Sequence, residues 1–130
     1  VGLKLSVTVL LGVGGRERSM DHARATGELL TAMDPNYVGV LTLMLLPNTE
    51  LGQKAQEGRF ELLTQTEFLM ELRQMLHYTN MSRGLFFANH ASNYLPLKVR
   101  MPGEKEKALA TIDEALQGAV RLKPEWLRAL

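Results

Sequence analysis

The feature that most constrains the fold is the alternation of short apolar segments with segments of helical periodicity. Residues 5–11 are rich in Val, Leu and Thr and lead into a glycine-rich stretch, which is typical of a buried strand that ends in a tight turn. Residues 19–33 repeat small or apolar side chains at helical spacing, which predicts a helix. Residues 37–46 are almost entirely apolar and predict a second strand, buried on both faces.

The second half of the chain continues this alternation. A short helical piece is predicted near residues 51–56. Thr64 and Glu67 have the spacing of a capping box, and the apolar stripe behind them predicts a longer helix. Residues 84–90 predict a third strand, and a last amphipathic helix is predicted to end near Val120.

This order of elements predicts the α/β fold class, with three or so parallel strands joined by right-handed crossover helices. A chain of 130 residues, 45% of them hydrophobic, suits one domain with its own core, so we assign residues 1–130 to a single domain. Three strand–helix units are too few for a closed TIM barrel, which takes about 250 residues. The alternatives are a small open sheet and the C-terminal part of a larger (β/α) barrel.

Composition argues against several classes of function. The formal net charge is only +1 and the basic residues are scattered, so we expect no nucleic-acid partner. No apolar run approaches the roughly 20 residues of a membrane span and no signal peptide is recognisable, so we expect a cytoplasmic protein without a membrane partner. With no cysteine in the chain, thiolate metal sites and cysteine nucleophiles are excluded, and no other residue spacing predicts a metal site. Because the chain begins with Val1 and enters a strand almost at once, we expect a fragment of a longer protein.

The turn after the first strand is one candidate site, because ligand crevices of α/β proteins lie beyond the carboxyl ends of parallel strands. Residues 12–18 combine glycines, Arg16, Arg18 and a following helix amino terminus, which suits an anionic or nucleotide-like group. They do not form a dinucleotide fingerprint, because Glu17 stands where the third glycine is needed. The alternative is a tight connection that binds nothing.

The first strand has one face that is smaller and more polar than the other. Alternation places Ser6, Thr8, Leu10 and Gly12 together on that face. Such a face suits the interior of a barrel. Alternatively, the two hydroxyl groups only satisfy local hydrogen bonds.

The end of the third strand carries the densest set of polar side chains and is the predicted substrate side. It consists of Asn89, His90, Ser92, Asn93 and Tyr94. The alternative is a loop in which Asn and Ser cap backbone groups. No partner carboxylate is recognisable for His90, so no residue of this chain is assigned a catalytic role.

Residues 2–17 resemble the late-barrel strand and turn of radical S-adenosylmethionine (radical SAM) proteins, a turn often written G-x-I-x-G-x-x-E. Gly14 and Glu17 match its last glycine and its acid, whereas Leu10 and Gly12 replace its first glycine and its aliphatic residue. In that family the strand packs beside the adenine of the cofactor. The resemblance therefore implies a cofactor-binding role for Leu11, Gly12, Val13, Gly14 and Glu17.

Two further stretches carry the same resemblance. Residues 45–51 resemble the family's P-G-T-P-L strand ending, from which Asn48 and Glu50 depart. Residues 89–98 resemble one subgroup, described as iron–sulfur oxidoreductases or relatives of oxygen-independent coproporphyrinogen oxidase. The implied parent is an enzyme whose [4Fe-4S] cluster cleaves S-adenosylmethionine to a radical that abstracts hydrogen from substrate.

The family's cluster-binding loop, C-x-x-x-C-x-x-C, is absent from this chain. We therefore expect the fragment alone to catalyse nothing and to retain neither cofactor, and its implied partner is the remainder of the parent barrel. The alternative is an independent α/β binding or oligomerisation module without catalysis. Because the cut edges of a sheet invite pairing, a homodimer is also expected in isolation.

Overall fold

The chain forms a four-stranded sheet with helices, described for residues 3–118 and 121–130 by a computed structural model. The sheet order is β1-β2-β3-β4; the first three strands are parallel, and β4 runs antiparallel to β3. The predicted α/β class is confirmed. In chain order the elements are β1 Ser6–Leu11, α1 Ser19–Met33, β2 Tyr37–Thr42, α2 Glu50–Gln56, α3 Gln65–Tyr78, β3 Leu85–Phe87, β4 Lys98–Arg100, α4 Lys105–Leu116 and a 3-10 helix, Glu125–Leu127.

Local capping explains where two of the helices begin. The side chain of Thr64 accepts a hydrogen bond from the Glu67 backbone N–H, and the Glu67 carboxylate accepts one from the Thr64 N–H, so the predicted capping box of α3 is confirmed. Thr49 caps α2 by accepting from the N–H of Gly52. Helix α1 has the bounds that its periodicity predicts.

The strands differ from the sequence prediction in length and burial. Strand β2 ends at Thr42 instead of residue 46, and β3 covers only three residues of the predicted 84–90. Burial on both faces of β2 was wrong, because only alternate residues of that strand are buried. The predicted end of the last helix at Val120 lies outside the described residues, as do Val1, Gly2 and Ala119.

The core lies on one face of the sheet, where all three long helices pack. Helix α3 contacts both α1 and α4. It approaches α1 so closely at Gly27 that a Cβ atom there would lie 2.7 Å from the Met75 carbonyl oxygen. Arg73 of α3 donates to Asp113 of α4 at 3.1 Å. One register row on the helix-covered face crosses all four strands. Its members Val38, Phe86 and Val99 are buried, and Val7 is partly buried and packs against the core.

The opposite face of the sheet has no covering layer among the described residues. Register and alternation place ten residues on this uncovered face, and none of them is buried: Ser6, Thr8, Leu10, Tyr37, Gly39, Leu41, Leu85, Phe87, Lys98 and Arg100. Parallel sheets in globular proteins are normally covered on both faces. Within the described chain β1 pairs only with β2, so the sheet is open and not a closed barrel.

Across the residues that are described, no helix combines the length and apolarity needed to cross a membrane.

Candidate functional site

The turn after β1 is held from beneath by a buried carboxyl group. Glu71 of α3 is 0% exposed; its Oε2 accepts the Gly12 N–H at 2.7 Å, and its Oε1 accepts the Ser19 hydroxyl at 2.8 Å. Gly12 has φ +90°, and a Cβ atom there would lie 2.5 Å from the ring of Phe68, so only glycine fits. The turn is therefore anchored to the core.

Burial raises the pKa of Glu71 above its ordinary value, although the hydrogen bonds from Ser19 and Gly12 and the nearby His22 act in the opposite direction. Glu71 is not among the site residues predicted from the sequence. The sequence nevertheless carries a sign of its burial, because this carboxyl group lies within the apolar stripe of α3, beside Phe68 and Leu72. A charged residue on the buried face of a helix is expected to have a specific partner.

The outer side of the same turn borders a polar cleft of about 760 Å³, whose lining includes Gly14, Glu17 and Glu61. Arg16 spans this cleft, pairing with Glu61 at 3.3 Å and with Glu67 at 3.0 Å. The hydrogen bond and charge of Glu67 raise the pKa of Arg16. The guanidinium group of Arg16 therefore already has two carboxylate partners.

Three of the seven backbone amides of residues 12–18, the segment that favoured an anion, are already occupied. Glu71 takes the N–H of Gly12, the Gly12 carbonyl takes that of Gly15 at 3.0 Å, and the Glu61 carbonyl takes that of Arg16 at 3.1 Å. The tight-connection alternative therefore accounts for these donors.

The loop after β3 is bonded to the carboxyl end of β2. The Thr42 N–H donates to Ser92 Oγ at 3.0 Å, and the Thr42 hydroxyl donates to Asn93 Oδ1. Asn93 Nδ2 donates to the Val40 carbonyl at 2.8 Å. Both loop side chains are buried, so they fix the loop against the strand end.

His90 lies at the start of this loop and is partly exposed. The backbone N–H of Ser92 donates to His90 Nδ1 at 3.1 Å, and Ser92 Oγ lies 2.9 Å from the same nitrogen. The Asn93 N–H donates to the His90 carbonyl at 3.0 Å, which closes a turn. The ring is therefore held in one orientation.

An apolar cavity of about 210 Å³ opens beside this histidine, at the carboxyl edge of the uncovered face. Its polar lining residues are Thr42, His90 and Ser92, and almost all of its lining surface is apolar. The remaining lining is apolar and consists of Leu10, Leu41, Leu43, Met44 and Leu130.

The C-terminal residues close the site through a buried arginine. The side chain of Arg128 is 2% exposed and donates to the carbonyls of Ser92 at 2.7 Å and Leu43 at 3.0 Å. Its guanidinium carbon lies 4.1 Å from the ring centroid of Tyr94. Arg128 was not predicted from the sequence, since no local pattern relates it to a loop more than 30 residues earlier.

Tyr94 is buried beneath this arginine and is part of the same network. Its hydroxyl donates to Glu125 and accepts from Arg128. Burial, together with the hydrogen bond to Glu125, raises the pKa of Tyr94 to about 12, although the charge of Arg128 opposes that rise. Tyr94 is thus a neutral packing residue and a hydrogen-bond donor at physiological pH.

The two predicted site segments meet only in part. Leu11, Asn93 and Tyr94 line one small, almost filled crevice between sheet and α3. Val13 is 48% exposed, and Glu17 and Asn89 are exposed as well. The turn after β1 borders the polar cleft and the loop after β3 borders the apolar cavity, so the two predicted segments share the carboxyl edge of the sheet and meet in this small crevice. His90 and Ser92 are the members that line the apolar cavity.

A [4Fe-4S] cluster does not fit the residues of this chain. Such a cluster needs cysteine thiolates, and the sequence has none. Among residues 3–118 and 121–130, no group of three or more His, Asp or Glu side chains is arranged to hold a metal ion. The thiolates of any cluster have to come from outside this chain.

Fold and site together define an α/β protein with a singly covered, mainly parallel sheet and a polar network at its carboxyl edge. No protein-family model matches the chain, and neither does any curated protein or solved structure.

Proposed function

We propose that this chain is the C-terminal part of a (β/α) barrel in a radical SAM iron–sulfur protein of the oxidoreductase type. In that parent it walls one side of the cofactor and substrate cavity, and it is inactive alone. The observation that carries the proposal is the uncovered face of the parallel sheet, opposite the three long helices.

Helices on a single face distinguish a barrel segment from a doubly wound sheet, in which helices cover both faces. The uncovered face also includes the small or polar residues Ser6, Thr8 and Gly39, which suit a crowded interior. On its outer edge β1 is unpaired among the described residues, and a preceding barrel strand would pair there.

The proposed roles follow from position at the carboxyl edge. Leu11, Gly12, Val13, Gly14 and Glu17 would border the cofactor, beside amides of Gly12, Gly15 and Arg16 that are already bonded within the protein. His90 and Ser92 would border substrate with Asn89, while Asn93 and Tyr94 would position their loop. When bound in the parent, the cluster and S-adenosylmethionine supply the hydrogen-abstracting chemistry.

A matched pair of substitutions in the longer parent protein tests the cofactor contact. Val13→Arg places a long cation where the adenine of a cationic cofactor would lie, and Leu29→Arg makes the same change on the outer side of α1. Both residues are well exposed, at 48% and 59%, so neither change should disturb folding. We expect Val13→Arg to raise the Kd for S-adenosylmethionine about tenfold or more and Leu29→Arg to leave it unchanged. Equal effects of the two substitutions, or none, would contradict the proposal.

The second candidate is an independent α/β binding or oligomerisation module, which the unpaired edge of β1 and the uncovered face also favour. Thr8→Lys adds a charge to that face at the edge strand, whereas Leu29→Lys adds it on the helix side. A module that assembles through the sheet should be a dimer within the longer protein, and Thr8→Lys alone should make it monomeric in light scattering. A barrel segment is already covered in its parent, which should stay monomeric.

A further inference from the structure

We propose that His90 is a neutral hydrogen-bond donor that holds an oxygen atom of a ligand through its Nε2–H in the apolar cavity. The inference rests on the proposed function in one respect, namely that this cavity belongs to the substrate chamber. It assigns the ligand a chemical class: an apolar body that carries a carbonyl, ether or carboxylate oxygen.

The protonation of the ring follows from its partners. The backbone N–H of Ser92 can only donate, so His90 Nδ1 must accept that bond, at 3.1 Å, with its lone pair. Ser92 Oγ, which accepts the Thr42 N–H at 3.0 Å, lies 2.9 Å from the same Nδ1 and, with that nitrogen unprotonated, donates its hydroxyl hydrogen there. Nδ1 therefore carries no hydrogen, and the neutral ring carries its hydrogen on Nε2.

The surroundings of the ring leave the Nε2 hydrogen available to a ligand. Within the described residues Nε2 has no hydrogen-bond partner, whereas Nδ1 has two. The cavity beside it, about 210 Å³ with five apolar lining residues, has room for a six-membered ring. A few polar groups in an apolar pocket are the usual means of orienting a ligand, and a hydrogen bond there is stronger than in water.

The competing explanation is that His90 only completes the turn from His90 to Asn93. The substitution His90→Asn separates the two roles, because the Asn side-chain oxygen can still accept the Ser92 N–H while the Nε2–H is lost. His77→Asn, at an exposed histidine of α3, is the control.

The test uses the 130-residue chain and two probes of similar shape, cyclohexanone and methylcyclohexane, with binding followed by NMR titration. We expect cyclohexanone to bind the unsubstituted chain about three- to tenfold more tightly than methylcyclohexane, and His90→Asn to remove that preference while His77→Asn keeps it. Equal binding of the two probes, binding of neither, or a preference that survives in a folded His90→Asn variant would overturn the proposal.

Long-range ¹H–¹⁵N NMR of the unsubstituted chain gives a reading that does not depend on any variant folding. We expect the chemical shifts of a neutral imidazole with hydrogen on Nε2; hydrogen on Nδ1 would refute the inference. Failure of the radical SAM proposal is recognised separately, by the Val13→Arg and Leu29→Arg comparison in the parent, which does not involve His90.

Discussion

Replacing Glu71 tests how the turn after β1 is held. Glu71→Ala leaves the buried N–H of Gly12 and the hydroxyl of Ser19 without their acceptor, at about 1–3 kcal/mol for each lost partner. The substitution also relieves the cost of burying a carboxyl group, which offsets part of that loss. We expect a net decrease of about 2–4 kcal/mol in the free energy of unfolding, measured by urea denaturation.

Glu71→Gln is the matched control, because an amide of the same shape can accept from Gly12 and donate to the oxygen of Ser19. We expect it to change the free energy of unfolding by less than about 1 kcal/mol near pH 5. A loss as large as that of Glu71→Ala would refute the idea that two neutral hydrogen bonds suffice.

The pH dependence of this pair has a definite sign. Because the pKa of Glu71 is raised in the folded chain, its contribution to stability is fully present below its ordinary pKa of 4.5 and is lost as pH rises through the raised value. The unsubstituted chain should therefore lose stability relative to Glu71→Gln as pH increases over that window. Other carboxyl groups cancel in the difference. A relative gain with rising pH would contradict the raised pKa.

Three other substitutions test the remaining parts of the fold. Arg128→Ala should lower the free energy of unfolding by about 2–4 kcal/mol and increase hydrogen exchange in the loop after β3, because the carbonyl groups of Ser92 and Leu43 lose a hydrogen-bond donor. Arg121→Ala, on the exposed surface, should change neither quantity. Gly12→Ala should cost more than about 2 kcal/mol because of its positive φ and the ring of Phe68, while Gly39→Ala, with nothing within 4 Å of its Cβ position, should stay within about 0.5 kcal/mol in the same urea assay. Thr64→Ala should cost about 1 kcal/mol through loss of the α3 cap; no change in the thermal midpoint would count against the capping box as a stabilising feature.

Elements with strong local signals were predictable from the sequence. Helix α1 has an apolar stripe of full length, and α3 has both a stripe and the capping pair Thr64 and Glu67. Strand β4 was not predicted, because three residues of which only Val99 is buried carry no periodicity and depend on pairing with β3. For the same reason β2 and β3 end earlier than their apolar runs, since partners and not composition set strand length.

The polar residues of the candidate site were predictable from the sequence, but their arrangement was not. Residues 89–94 stand out by composition, whereas the path of the loop decides that His90 lines the cavity and Tyr94 packs in the core. The two buried ionisable groups, Glu71 and Arg128, were missed. The apolar stripe of α3 marks Glu71 as unusual, but its partner Gly12 is 59 residues away in the chain, and Ser92, a partner of Arg128, is 36 residues away. Such long-range pairs become visible only in the folded chain.

The most direct test of the radical SAM proposal is to express the full reading frame that encodes this segment, purify the protein without oxygen, and measure iron, sulfide and 5′-deoxyadenosine formed from S-adenosylmethionine. We predict three cysteines spaced C-x-x-x-C-x-x-C upstream of Val1, about four irons per chain, and reductive release of 5′-deoxyadenosine. A reading frame without those cysteines, or a reconstituted protein that leaves S-adenosylmethionine intact, would contradict the proposal and favour the independent binding module.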